Sequence, residues 1–205
     1  MVIELIMKGL GTTLWISLVS LFIGGILGSV LFLGRKSDKK LIRFVCIGYI
    51  ELFEGIPLIA QLFFFYFVLP TISILVLDGI TTAIILLSLN AVANIASISK
   101  SFTDLSGYKL EVFYIAKVIF LSMVKEFGVL IKYSSLLSII GVADLFKSVN
   151  QLMNAKADIT YFFIAVAIYL VLSIITKIFY NLLLKRLFRD VYDKTRFSGE
   201  TYLQI

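Results

Sequence analysis

The stretch Gly48–Pro70, GYIELFEGIPLIAQLFFFYFVLP, decides the fold of this chain. Two carboxylates, Glu51 and Glu54, and a Gly-x-Pro turn at Gly55–Pro57 lead into a run from Gln61 to Pro70 that is almost wholly apolar. A soluble core helix does not need so greasy a run, and a plain membrane anchor carries no such charged mouth. Charge and a helix-breaking proline at membrane depth mark protein-lined, functional regions.

The rest of the chain agrees. It has 205 residues, of which 60% are hydrophobic and 16% charged, and its mean hydropathy of +1.02 is too high for a soluble domain of this length. A hydrocarbon core of about 30 Å and a rise of 1.5 Å per residue require roughly 20 apolar residues per span. Five stretches qualify, near residues 10–33, 44–69, 80–98, 127–142 and 159–184. The expected fold class is therefore all-α: a polytopic membrane protein of about five transmembrane helices, one domain over residues 1–205 with a cytoplasmic tail at 185–205. Around the fourth stretch the pattern is ambiguous, because Val112–Met123 is also apolar and Lys132 interrupts the run.

Orientation follows from the basic residues, which are retained on the cytoplasmic side. Arg35, Lys36, Lys39, Lys40 and Arg43 follow the first span, and none follow the second. Lys100, Lys109, Lys117 and Lys125 follow the third, only Lys147 and Lys156 follow the fourth, and the tail holds Lys185, Arg186, Arg189, Lys194 and Arg196. That alternation predicts the N-terminus outside and the C-terminus in the cytoplasm. The net charge of +6 then reports topology and contact with anionic lipid headgroups, not nucleic acid. Cys46 is the only cysteine, histidine is absent, and Met1–Lys8 with the long apolar run after it reads as a retained first helix and not a signal peptide. The chain has no phosphate-binding loop, no H-E-x-x-H and no metal-spaced cysteines, so no catalytic residue, cofactor or metal is expected. If ATP drives this protein, another subunit binds it.

Several residues stand out within the spans. Gly24 and Gly28 form a G-x-x-x-G that lets two helices pack closely. Glu51 and Glu54 share one helical face, where they are either solvated or paired with Arg43 or Lys100. Asn90, Asn94, Ser97 and Ser101 share one side of the third helix, a polar stripe that must face protein or water. It serves either helix-to-helix hydrogen bonding or the lining of a path. Lys132 costs about 2.5–3.5 kcal/mol at the centre of a membrane helix unless it finds water or a partner. Ser134 and Ser135 lie close by, and the alternatives for Lys132 are a wet cavity, snorkelling, or pairing with Glu126 or Asp144.

These segments resemble a known family. YIELFEGIPLIAQLFFFYFVLP is similar to the Y-x-E-x-F-R-G-T-P-L-x-x-Q-L signature of inner-membrane permeases of ATP-binding-cassette importers for polar amino acids. In the family's order, GLGTTLWISLVSLFIGGILGSVL resembles its first span, LSLNAVANIA its third, and LIKYSSLLSIIGVADL its L-L-K-D-T-S-L-x-S-V-I-G-V-x-E-L block. The resemblance implies a five-span permease of the cell (inner) membrane that works by alternating access. Its implied partners are a second permease subunit in a homo- or heterodimer, cytoplasmic ATPase subunits and an extracytoplasmic substrate-binding protein, with no enzymatic role for this chain.

The departures from the family matter too. The E-A-A-x-x-x-G coupling motif is missing or unrecognisable, and the connection between Asn90 and Gly141 is shorter than the family's by roughly five helical turns. Gly107 and Glu111 are what that connection offers for coupling, together with Glu51 and Glu54 beside the entrance of the second span. The arginine of R-G-T-P reads Glu54 and the aspartate of K-D-T-S reads Tyr133. Two functions follow: a working permease whose shortened loop docks differently, or a transport-incompetent relative serving as a structural or regulatory membrane partner.

Overall fold

In lipid a backbone must satisfy its own polar groups, which leaves long apolar runs the helix as their natural form. The computed structural model of the chain describes residues 2–72, 76–106 and 112–189, and among these there are helices and no strands. Helix α1 spans Val2–Arg35 and α2 spans Lys40–Gly55. Helix α3 runs over Leu58–Ile72 and contains a wide π-type turn at Phe64–Val68. Helix α4 spans Gly79–Ser106 and α5 spans Val112–Tyr133, followed by tight 3₁₀ turns at Ser134–Ile140. Helices α6, Leu145–Lys156, and α7, Thr160–Leu187, complete the described chain. By length and composition α1, α4 and α7 each suffice to cross a membrane, and counting each bent pair as one crossing gives up to five.

The structure departs from a simple row of straight rods in two places. At Ile56–Pro57 the second apolar stretch breaks, and α2 and α3 meet at 98°. Proline has no N–H to continue the ladder, and the carbonyls ahead of it lose their donors. The second departure follows α5, which begins at Val112, well before the expected fourth span, so the apolar segment ahead of Phe127 is part of the same helix. After its 3₁₀ end, Gly141 takes φ +90, a conformation that favours glycine, and α6 leaves at 52°. Residues 145–156 read as a loop in the sequence because they are polar and short. They form a helix because Asp144 caps it: the backbone N–H groups of Phe146 and Lys147 donate to its carboxylate at 3.3 and 2.9 Å.

Asp144 is fully buried and also accepts from the Tyr169 hydroxyl at 3.3 Å, while Leu145 N–H donates to Thr13 Oγ1 at 3.1 Å. This junction ties α1, α6 and α7 together. A Cβ added at Gly9 would collide with Ser148 and with the Asp144 carbonyl, which shows how closely α1 passes.

Helix α4 is the hub of the bundle. Its Ala83, Leu86, Leu87, Ala91 and Ile95 form one buried cluster with Ile16 of α1, Leu62 of α3 and Leu130 of α5. The small residues of α1 make this possible: a Cβ on Gly24 would strike Ala91, and one on Gly28 would lie 3.0 Å from the Val92 carbonyl oxygen and 3.1 Å from Ile95. At the other end of α4, Phe102 packs with Phe188 and Tyr180 of the α7 end and Val118 and Leu121 of α5.

Candidate functional site

Polar side chains inside so apolar a bundle are the functional candidates, and several of them bond to or from α4. Gln61, 5% exposed, sits one turn past the elbow and donates from Nε2 to the carbonyls of Phe53 at 2.9 Å and Ile56 at 2.8 Å. Those acceptors belong to the broken end of α2, so one amide side chain caps the bend. Its Oε1 accepts from Asn90 Nδ2 at 2.8 Å, and the same nitrogen donates to Leu86 O at 3.1 Å. Tyr49, also from α2, donates to Leu89 O at 2.9 Å.

One turn along α4, Asn94 Nδ2 donates to Glu126 Oε1 of α5 at 3.0 Å. Glu126 is 1% exposed, and its second oxygen is buried with no hydrogen-bond partner among the described residues. Lys125, Glu54 and Lys132 lie within electrostatic range of it. Beyond Asn94, Ser97 is half-buried and its carbonyl accepts from Ser101, while Ser99 donates to Ser122 of α5 at 3.0 Å.

The stripe foreseen on the third span is thus divided. Asn90 faces the elbow, Asn94 faces α5, and Ser97 and Ser101 bond along their own helix. Lys132 is exposed and lines a groove of about 290 Å³ between α5 and α7 with Gly128, Ser173, Thr176 and Lys177. No ion pair joins it to Glu126 or Asp144 among the described residues, and Asp144 is committed to capping α6. The serines beyond it do not share that groove. Ser134, Ser135 and Ser138 donate to the carbonyls of Ile131, Lys132 and Ser135, as 3₁₀ turns allow.

Glu51 and Glu54 are both exposed near the end of α2. Lys100 pairs with Asp104 at 3.1 Å and not with either of them. Gly107 and Glu111 lie outside the described residues. At the turn between α1 and α2, Lys36 donates to Thr103 Oγ1 at 2.9 Å and sits 4.7 Å from the centre of the Phe32 ring. Burial lowers its pKa, with nearby Asp104 working in the opposite direction. No group of three or more potential metal ligands exists among the described residues.

Sequence reasoning missed two of these groups. Gln61 was noticed only as the polar member of a greasy run, and Glu126 only as a possible partner for Lys132. The signal for Gln61 was its position four residues after Pro57, within reach of the carbonyls a proline leaves bare.

No protein-family model matches the chain. The chain is 30% identical over 200 residues to the probable amino-acid ABC transporter permease protein YckA of Bacillus subtilis (strain 168), covering 88% of each chain. It is 28% identical over 193 residues to the glutamine transport system permease protein GlnP of Escherichia coli (strain K12), covering 84% of this chain and 88% of that one. In three dimensions it superposes on a crystal structure of an amino acid ABC transporter with histidines at a TM-score of 0.79 and 25% identity, over 89% of this chain and 94% of the other. Apolar crossing helices, a buried polar core on α4, and likeness over most of both lengths lead to one conclusion: this chain is a multi-pass membrane protein that belongs to the family of amino-acid ABC transporter permeases.

Proposed function

We propose that the chain forms one wall of the path by which a polar amino acid crosses the membrane, as the permease subunit of an importer that works by alternating access. The observation that carries this reading is the pair of buried polar contacts, Gln61–Asn90 and Asn94–Glu126, inside a bundle otherwise packed with Leu, Ile and Ala. Polar groups at membrane depth are expensive, and in this position they belong to protein or to a hydrated route. Asn90, Asn94 and Ser97 are the path candidates on α4, with Lys132, Ser134 and Ser135 on the α5 side. Glu51 and Glu54, with Gly107 and Glu111, are the coupling candidates.

Energy comes from elsewhere in this reading, since the sequence has no phosphate-binding loop. Cytoplasmic ATPase subunits hydrolyse ATP, an extracytoplasmic binding protein delivers the solute, and a second permease subunit closes the other side of the path. The basic residues at 35–43 and 185–196 support a C-terminus in the cytoplasm and an N-terminus outside. Family likeness along most of the chain, together with an intact set of buried polar contacts, supports a working permease over a transport-incompetent relative.

The test is affinity purification of the tagged protein from native membranes in mild detergent, with mass spectrometry of what accompanies it. Recovery of an ATPase subunit and a second permease is the expected outcome. A folded, membrane-inserted protein that brings neither would defeat the reading.

A further inference from the structure

Of its 16 residues, helix α2 buries only Cys46 and Ile50, which lie against Gly34 and Phe32 of α1 and Ala96 of α4. Leu41, Val45, Gly48 and Leu52 recur at intervals of four, three and four, so they share one face, and all four are exposed. Phe44 stands exposed beside them. A Cβ on Gly48 would meet nothing within 4 Å, which leaves a notch in the middle of the stripe. Glu51 and Glu54 project from another side of the helix, so the stripe itself carries no charge.

The stripe joins two unlike ends. At the elbow it leads through Leu52 into an apolar groove of about 440 Å³ walled by Phe53, Ile56, Ala60, Phe64 and Phe65. Gln61 also borders the groove, but its amide is spent on the elbow carbonyls and Asn90. At the other end the α1–α2 turn carries Arg35, Lys39, Lys40 and Arg43 against one acidic residue, Asp38. None of these four cations forms an ion pair among the described residues. Lys36 of the same turn is held on α4 by Thr103. From Lys40 to Leu52 the helix rises about 18 Å at 1.5 Å per residue, and one leaflet is about 15 Å deep, half of a 30 Å hydrocarbon core. On a tilted helix, a hydrocarbon chain that starts at headgroup level beside Lys40 therefore ends at the groove. Cations at one end and an apolar seat one leaflet away describe an anionic amphiphile. A soluble anion would have no use for the groove, and general attraction of a chain of charge +6 to an anionic surface would need none.

We infer that α2 binds an anionic phospholipid, with its phosphate among Lys39, Lys40 and Arg43 and one acyl chain along Leu41, Val45 and Leu52 into the elbow groove. On the orientation proposed above, this is a lipid of the cytoplasmic leaflet. The site needs the chain to lie in a membrane and is independent of which solute it carries. Because Lys36 fastens the same turn to the end of α4, the bound lipid covers a corner that is tied to the hub of the bundle.

The test uses the protein purified with the subunits that accompany it, freed of lipid by detergent washing and titrated in mild detergent with fluorescent phosphatidylglycerol or phosphatidylcholine of identical acyl chains. The wild type is expected to bind phosphatidylglycerol saturably and about tenfold or more tighter than phosphatidylcholine. Lys40→Gln combined with Arg43→Gln should abolish that preference. Lys185→Gln combined with Arg186→Gln removes the same charge from exposed positions at the end of α7 and should change the affinity for phosphatidylglycerol by less than about twofold. Ala60→Trp, which fills the groove, should weaken both lipids several-fold and keep the preference. Equal wild-type affinity for the two lipids overturns the inference. Loss of preference in both double variants means diffuse attraction and overturns it too, as does an Ala60→Trp protein that binds both lipids as tightly as the wild type. The wild-type comparison needs no substitution, so it decides even where a variant fails to assemble.

Discussion

Helices α4 and α7 have the same length, 28 residues, and opposite circumstances. In α4 61% of the most apolar window is buried inside the chain, against 6% in α7, yet α7 is the more apolar of the two, with a mean hydropathy of 2.4 against 1.7. In water the order would be reversed. In a bilayer, hydrophobicity reports contact with lipid or with another membrane-embedded partner, and the less apolar helix occupies the centre because its amides and hydroxyls need protein around them. The contrast shows that polarity, and not greasiness, locates the interior of this molecule.

The largest effect on this polar interior is expected at Gln61. Replacing it with leucine leaves two elbow carbonyls without their donor and the Asn90 amide with Leu86 O as its remaining acceptor, and the expected loss is about 3 kcal/mol or more. Thermal unfolding of the purified protein in detergent reads this, and a change below about 1 kcal/mol would mean that water or lipid satisfies the elbow. Next comes Gly24→Val, which forces a side chain into Ala91 where α1 crosses α4. Overpacking of this kind costs about 1–3 kcal/mol, and the same assay detects it.

On the α7 side the effects should be smaller in stability and larger in function. Lys132→Met is expected to lower amino-acid uptake several-fold with assembled protein unchanged, and undiminished uptake would remove Lys132 from the path. Leu182→Ala and Ile175→Ala, at positions 62% and 57% exposed, should move stability of the single chain by no more than about 0.5 kcal/mol. If either one weakens association with a second permease in a pull-down, the bare face of α7 is a subunit interface and its apolar side chains meet protein instead of lipid.

The smallest effect concerns how α4 begins. Asp78 accepts from the Ile80 and Thr81 N–H groups at 3.0 and 3.2 Å, and hydrogen bonds from the Thr81 side chain and backbone lower its pKa. A depressed carboxylate contributes stability above its ordinary pKa and loses it as pH falls through the lowered value. Acidification below the usual carboxylate range should therefore loosen the first turn of α4, seen as faster amide exchange there. Thr81→Ala should shift that loss to higher pH.

Much of this architecture was legible in the sequence. Runs of apolar residues marked where helices lie, and Gly55–Pro57 marked a bend. The 98° angle at that bend was not legible, because a proline says that a helix is interrupted and only packing says which way the chain continues. Helix α6 is not legible in the sequence because its cap, Asp144, reads there as a possible partner for Lys132, and the groups that fix the junction, Tyr169 on Asp144 and Thr13 on the Leu145 N–H, come from distant parts of the chain. Lys132 and the serines after it looked like a cluster on helical spacing. A switch to 3₁₀ turns at Ser134 changes that spacing and directs the hydroxyls to the backbone. Glu126 was hidden by its neighbour, since Lys125–Glu126 reads like an ordinary surface charge pair until the helix sets the two residues in different directions.

The wide turn at Phe64–Val68 bears on how this chain should be aligned with its relatives. A π-type turn accommodates one residue more than a regular α-helical turn, so positions beyond it are rotated by about 100° from where uninterrupted counting would put them. A relative with one residue fewer at this point would present the same faces at Leu69 and beyond. The segment is therefore a place where a single-residue gap between homologues leaves the geometry of the elbow and everything before it intact.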